Sequence, residues 1–353
     1  MHVLAQPHDR RPDPVLDSPL GGLAREQHGL LTRRQCLAHG LTDGVVARRI
    51  ARGHWARPAR GLVDTGLVAD RSPDGVARRG VVLSLLSQGP GAVAVGPSAL
   101  LLHGVWGVPH PLTPQAAQVR ATKREPPRGA RSRRFRTAGR VVEVGGLLAV
   151  DPVLALAQTV VEAGPTSALG LLDSALHRRI LQPEELDDVR SLARGRRGVR
   201  SIAQVWPLID ARRESPLESW AYYDLWSAGL CPTDVQITIG DAHGQVLARC
   251  DMGYLLDDGT WLMVELDGRD FHTGAVALTH DYARGNDLSL AGGMRVIRFV
   301  AEQLGWDGPM VRTIRQHLRT RSWAPPRPRT LDLASRIPPN APELPEFGEN
   351  PAV

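Results

Sequence analysis

Trp261-Leu-Met-Val-Glu-Leu-Asp-Gly-Arg-Asp-Phe-His272 is an apolar run that carries acids where a buried strand wants none. At the two-residue period of a strand, Leu262, Val264 and Leu266 point to one side, and Met263, Glu265 and Asp267 to the other. Both carboxylates therefore share a face. Upstream, Cys250-Asp-Met-Gly-Tyr-Leu-Leu256 reads as a second strand, and Asp257-Asp-Gly259 between the two is hairpin-turn chemistry. With the turn centred on Asp258, residue 251 falls opposite residue 265. Three carboxylates then converge on one patch of an antiparallel sheet, where their repulsion is costly unless protonation or a divalent cation offsets it. A hard cation such as Mg²⁺ or Mn²⁺ prefers such oxygen ligands and retains water that can act as a nucleophile. Against this stands the plain reading of a surface hairpin that carries acids, with Asp257 and Asp258 as turn residues only. The apolar neighbours of Glu265 do not fit a solvated face.

Working outward, Ser215-Pro-Leu-Glu218, Arg249-Cys-Asp251, Val264-Glu-Leu-Asp-Gly268 with His272, Asp281-Tyr-Ala-Arg284 and Gly293-Met-Arg-Val-Ile-Arg298 follow one another in order. That succession resembles the domain-of-unknown-function family 559, which is similar to the very-short-patch-repair endonucleases of the PD-(D/E)XK nuclease superfamily. The resemblance runs from about Ser215 to Leu318. It implies an α/β domain with a mixed sheet, in which Asp251 and Glu265 hold Mg²⁺ or Mn²⁺ and Glu218 contributes from a helix. It further implies that His272 positions a water or protonates the leaving oxygen, and that Arg284 or Arg298 meets the charge of the transition state. The superfamily motif has lysine two residues after its second acid; this chain has Asp267. The very-short-patch-type relatives also do without that lysine, so the change is compatible with activity but leaves the water-activating role without an assigned residue.

At 353 residues the chain is too long for one ordinary core and predicts two or three domains. Its hydrophobic fraction is that of a soluble globular protein, and no uninterrupted apolar run is long enough to cross a bilayer. The polar, proline-bearing start, Met1 to Pro19, lacks a signal-peptide core, so a cytoplasmic location and no membrane partner are expected. Cys36, Cys231 and Cys250 are widely spaced and odd in number, which argues for reduced thiols. The formal net charge is +6, compatible with a nucleic-acid partner. Since Lys123 is the only lysine, arginine bias inflates that signal, and where the cations lie is more informative than their sum.

Residues 20–68 predict three short helices, Leu20 to His28, Arg33 to His39 and Gly44 to Arg52, with Thr32 and Thr42 or Asp43 as caps. In the third helix, Val45, Val46 and Ile50 form the apolar stripe, while Arg48, Arg49 and Arg52 are expected to face outward toward phosphates or base edges. A hairpin from Gly53 to Val63 takes the place of a wing, with Trp55 beneath it. The order Gly29-Leu-Leu-Thr32, Gly40-Leu-Thr42, Gly53-His-Trp55 and Arg57-Pro-Ala-Arg-Gly-Leu-Val63 resembles the winged-helix domain of AbiEi-type antitoxins, from type IV toxin–antitoxin systems. The resemblance implies DNA binding, autoregulation and a cognate toxin or defence-system partner. A small helical domain with a solvated arginine face remains the plain alternative.

Residues 69–205 read as a mainly helical middle region, with a proline-bearing connector and a basic stretch over 120–140. Arg131, Arg133, Arg134 and Arg136 within that stretch are expected to hold phosphate backbones without sequence choice, or to be a solvated loop. Residues 206–322 form the nuclease-like domain, and 323–353 a proline-rich tail expected to be disordered. In its plain reading Ser215-Pro-Leu-Glu218 is a capping box and nothing more. Two functions stay open: a metal-dependent DNA endonuclease with an N-terminal DNA-binding module, and a non-catalytic antitoxin-like regulator that keeps the nuclease fold as a platform.

Overall fold

A computed structural model describes residues 18–67, 70–118, 129–133, 139–240, 246–268 and 294–326. The chain divides into two compact units, Met1–Gly104 with Val108–Thr159, and Val105–Gly107 with Val160–Val353. Among the described residues no helix is long and apolar enough to cross a membrane.

The first unit opens with α1 (Pro19–Glu26), β1 (Leu30–Thr32), α2 (Arg33–Ala38), α3 (Asp43–Ala51) and β2 (Leu62–Asp64). Thr32 starts α2 through a reciprocal capping box with Gln35, and the Thr42 hydroxyl accepts from Val45 N–H at the start of α3. Both threonines thus satisfy backbone donors that a helix leaves orphaned. Strand β2 runs antiparallel to β1, and Ala56 bridges Asp64, so the 53–63 segment folds back as a hairpin. Leu20, Ala24, Leu31, Cys36, Val46, Val63 and Trp55, which is 1% exposed, form the small core beneath.

Beyond it the first unit departs from the mainly helical expectation. Helices α4 (Pro73–Gln88) and α5 (Pro97–His103) pack beside a five-stranded sheet of order β5-β4-β3-β7-β6. Its strands are β3 (Ala92–Ala94), β4 (Gln115–Gln118), β5 (Arg131–Ser132), β6 (Val141–Val144) and β7 (Leu147–Val150). The turn between β6 and β7 is Gly145-Gly146, both at positive φ, as a two-residue hairpin turn demands. His103 donates to the Val150 carbonyl at 2.8 Å, which ties α5 to β7.

Helix α6 (Pro152–Ala163) spans the division between the units, and α7 (Pro165–His177), α8 (Leu186–Ala193) and α9 (Pro216–Ser227) belong to the second. Helices α7 and α9 pack against each other. Arg213, 1% exposed, donates from Nε to Asp173 at 2.7 Å, and Asp173 also accepts from Ser219 Oγ and from the Asp210 backbone. Every oxygen of this buried acid is thereby matched, the condition for burying an ion pair at all.

The sheet of this unit has the order β11-β10-β9-β8, from β8 (Asp234–Gly240), β9 (Val246–Leu255), β10 (Trp261–Asp267) and β11 (Met294–Val300). Strand β9 runs antiparallel to both β8 and β10, whereas β11 runs parallel to β10. On one face, Met252, Tyr254, Leu262, Val264 and Phe299 meet Ala221 and Leu225 of α9 and Met310, Val311 and Ile314 of α10 (Pro309–Leu318). Ile239, Ala248, Cys250 and Met263 cluster separately. Trp323, assigned by the sequence to the tail, is built into the unit instead: its indole donates to the Cys231 carbonyl at 3.0 Å and packs edge-on against Tyr254. The second unit is thus an α/β layer with a mixed sheet. Residues 280–291, whose sequence predicts a further helix of this unit, lie outside the described residues.

Candidate acidic site

The hairpin register is the one the turn implies: Trp261 pairs with Leu255 and Val264 with Met252. Continued by one step it sets Asp251 across from Glu265. The two-residue alternation is not continuous there, however. Met252 packs with Val264 while Cys250 packs with Met263, so alternation along β9 slips at Asp251. The alternation of β8 reverses on the same rung with the register unbroken: Val235 pairs with Met252 and lies in its cluster, Ile237 pairs with Cys250 and packs against the other cluster, and Gln236 between them has φ +51°. Such a reversal re-aims side chains at the point where it occurs. Here it turns Asp251 toward the neighbouring strand, where its Oδ2 accepts the Leu266 backbone N–H at 2.7 Å.

Glu218 enters from α9. Ser215 is the N-cap and Pro216 the first helical residue, and the Glu218 carboxylate accepts from Ser215 Oγ at 2.8 Å and Glu214 N–H at 3.0 Å. This much is capping. Its Oε2 also accepts Gln236 Nε2 at 2.7 Å, which ties the helix terminus to that rung. Only 5% exposed, Glu218 has its pKa raised by burial, against the bonds that lower it.

Burial and the charge of Glu218 push the Asp251 carboxyl up to about 7, against the Leu266 N–H, and Glu265 and Glu214 push the same way. Glu265 accepts Arg298 Nε at 2.6 Å, while the Cys250 thiol lies 3.6 Å from its other oxygen. Burial with the neighbouring acids pushes that thiol up to about 12, so Cys250 stays protonated and is no nucleophile. Arg249 pairs with Glu214 at 2.5 Å on the rim.

Sequence reading expected Asp267 as a third carboxylate; the one whose charge acts most on Asp251 is Glu218, and Asp267 is exposed at the end of β10. Arg298, expected to face a transition state, is ion-paired with Glu265. His272 and Arg284 lie outside the described residues. The sequence reading gave Cys250 no part in the site, and nothing in the spacing pointed to Gln236.

The donor set suits a hard divalent cation. Asp251 and Glu265 offer carboxylate oxygens on neighbouring strands, and one buried oxygen nearby, Gln236 Oε1, has no partner among the described residues. Among those residues no three His, Cys, Asp or Glu side chains form a ready metal cage. Two carboxylates with water completing the shell is nonetheless how Mg²⁺ is commonly held.

In the first unit, Arg48 and Arg52 are exposed, as expected. Arg49 is different: its guanidinium stacks 5.1 Å from the centre of the Trp55 ring and is half-buried. Its first job is to cover the core. Arg131 is exposed on β5 and Arg133 half-buried beyond it, whereas Arg134 and Arg136 lie outside the described residues.

No family model matches the chain. The uncharacterized proteins MT2308 of Mycobacterium tuberculosis (strain CDC 1551 / Oshkosh) and Rv2248 of Mycobacterium tuberculosis (strain ATCC 25618 / H37Rv) are each 27% identical to it over 183 residues, or 52% of the chain. The chain spans 66% of the length of these curated relatives, just under two thirds. A solved structure, the RV2827C protein from Mycobacterium tuberculosis, is 18% identical and covers 67% of this chain and 92% of its own, with a TM-score of 0.31, too loose a likeness to bear on the fold. The chain is therefore similar to uncharacterized mycobacterial proteins.

Proposed function

We propose that the second unit is a metal-dependent DNA endonuclease of the PD-(D/E)XK type, and that the first carries a winged-helix DNA-binding module. The observation that carries the nuclease reading is Asp251 and Glu265 on neighbouring strands of a sheet whose last two strands are parallel, with Glu218 of α9 close enough to raise the Asp251 carboxyl. Glu218, Glu265 and Glu214 all raise the Asp251 carboxyl, and among the described residues Arg298 offsets Glu265 and Arg249 offsets Glu214. Such an excess of negative charge is what a divalent cation offsets.

Asp251 and Glu265 would hold Mg²⁺ or Mn²⁺, which when bound supplies Lewis acidity toward a phosphate ester. Glu218, buried and raised in pKa, is suited to take a proton from an attacking water. Arg298 is suited to leave Glu265 for a phosphate oxygen as a substrate enters, because a guanidinium pairs with either anion. The alternative, a non-catalytic regulator, draws on the same ion pair: with Asp267 where the motif has lysine, Arg298 would neutralise Glu265 permanently. Incubating supercoiled plasmid with the protein and Mg²⁺, Mn²⁺ or EDTA separates the two. Metal-dependent nicking or linearisation supports the enzyme, and intact plasmid under all conditions supports the regulator.

For the first unit, a double replacement of Arg48 and Arg52 with Ala is expected to weaken duplex binding roughly tenfold near 0.1 M salt. It should also flatten the salt dependence by about two phosphate contacts, a slope change of ~1.8. Arg49→Ala should instead lower the melting temperature, because it uncovers Trp55. Gel shifts across a salt series check this; an unchanged slope would assign the helix to a protein partner. A cognate toxin or defence-system protein is the partner class this reading carries with it.

A further inference from the structure

Gln236 carries two unfavourable features at the point where the alternation of β8 reverses. It is one of three non-glycine residues with positive φ, at +51°, among the described residues. Glutamine has no special tolerance for that region, which glycine or asparagine enters more readily. Its side chain also carries a second liability: Nε2 is used on Glu218 at 2.7 Å, but Oε1 is buried with no hydrogen-bond partner among the described residues. A buried acceptor left unmatched is costly unless something not written in the polypeptide supplies the donor. The residue stands on the same rung as Asp251, between the pairs Val235–Met252 and Ile237–Cys250.

We propose that Gln236 is the positioning residue of the acidic site, retained for its side-chain amide and not for its backbone. Nε2 fixes the Glu218 carboxylate beside Asp251, and Oε1 accepts a hydrogen bond from the hydration water of a divalent cation. The proposal rests on the cation-site reading above. It accounts for both liabilities at once, since a strained backbone and an orphaned acceptor persist where a bound species rewards them. Outer contacts of this sort commonly change metal affinity by about 10–100-fold.

The test uses the full chain, with Mn²⁺ as the probe. Free Mn²⁺ is measured by electron paramagnetic resonance during titration, and melting is followed in EDTA. Gln236→Gly is expected to melt within a few degrees of the wild type in EDTA, because relief at φ +51° and removal of the orphaned oxygen offset the lost bond to Glu218. The same variant should bind Mn²⁺ at least tenfold more weakly. Gln236→Asn, which keeps an amide and tolerates the left-handed region, should recover part of that affinity. Wild-type affinity in Gln236→Gly overturns the proposal while leaving the cation site intact. A collapse of its EDTA melting temperature also overturns it, by making the residue a structural one. Absence of Mn²⁺ binding by the wild type removes the cation reading itself and this proposal with it.

Discussion

Asp251→Asn is expected to stabilise the metal-free protein at pH 8 by about 2–4 kcal/mol. The figure follows from a carboxyl raised from 3.8 to about 7, at ~1.36 kcal/mol per unit, with the upper end reached only if nothing relaxes. The sign follows from linkage. A folded-state pKa above the unfolded value means that the folded protein holds a proton the unfolded chain has released. The penalty is therefore absent below about pH 4, grows as pH rises, and is fully developed above about pH 7. Asparagine keeps an oxygen for the Leu266 N–H and removes the charge that Glu218, Glu265 and Glu214 oppose. Denaturant unfolding in EDTA between pH 4 and 8 should show wild-type stability falling through this window and the variant falling less, with Glu218 leaving a residual slope of the same sign. Identical slopes in the two proteins would mean that Asp251 is not the group under strain. The same displaced proton makes cation uptake pH-dependent: Mn²⁺ affinity should rise by up to about tenfold per unit below pH 7 and level off above it.

Glu265→Gln is expected to lower metal-dependent DNA cleavage by ~10³-fold or more, since an ion's contribution to a phosphoryl transition state is worth several kcal/mol. It should also abolish the rise in melting temperature that Mg²⁺ or Mn²⁺ gives by binding the folded state alone. The fold itself should survive, because glutamine can still accept from Arg298 Nε, and the pair it weakens is partly exposed, with side chains 31% and 20% accessible. Cleavage is measured as the initial rate of plasmid nicking, and melting by calorimetry with and without Mn²⁺. A variant that loses cleavage together with its metal-free melting transition would have failed by unfolding, and Glu265→Asp then provides the second comparison, with the charge kept and the reach shortened.

What the sequence disclosed and what it hid divide along physical lines. The hairpin was legible because Asp257-Asp-Gly259 fixes the turn, and the turn fixes every pair out to Val264 and Met252. Glu218 was legible as a cap because Ser, Pro and Glu at that spacing solve one local problem, which the structure shows them solving. The reversal of alternation at Gln236 and Asp251 was not, since strict alternation is assumed whenever a face is assigned from spacing. That assumption is why Cys250 beside Glu265 went unnoticed, whereas Asp267 was expected as third carboxylate because spacing along β10 reveals neither its exposure at the strand end nor the approach of Glu218 from α9. In the first unit, Ala92–Ala94 has a single β-branched residue, Val93, and Gln115–Gln118 has none, so their sheet was invisible one strand at a time. Val141 to Val150 is a different matter: two β-rich runs around Gly145-Gly146 are a hairpin signal that the helical reading of the region passed over. Arg49 faced outward on a helical wheel, but a wheel contains no Trp55.

The central claim is that Asp251 and Glu265 hold a divalent cation that the protein uses on DNA, and one measurement addresses it most directly. Supercoiled plasmid is incubated with wild type, Asp251→Asn and Glu265→Gln over a series of Mn²⁺ concentrations, and relaxed and linear products are quantified. The account predicts cleavage by the wild type that saturates with Mn²⁺ and vanishes in EDTA, with both variants at least ~10³-fold slower. Cleavage that persists in the two variants, or none by a folded wild type at any Mn²⁺ concentration, would contradict it.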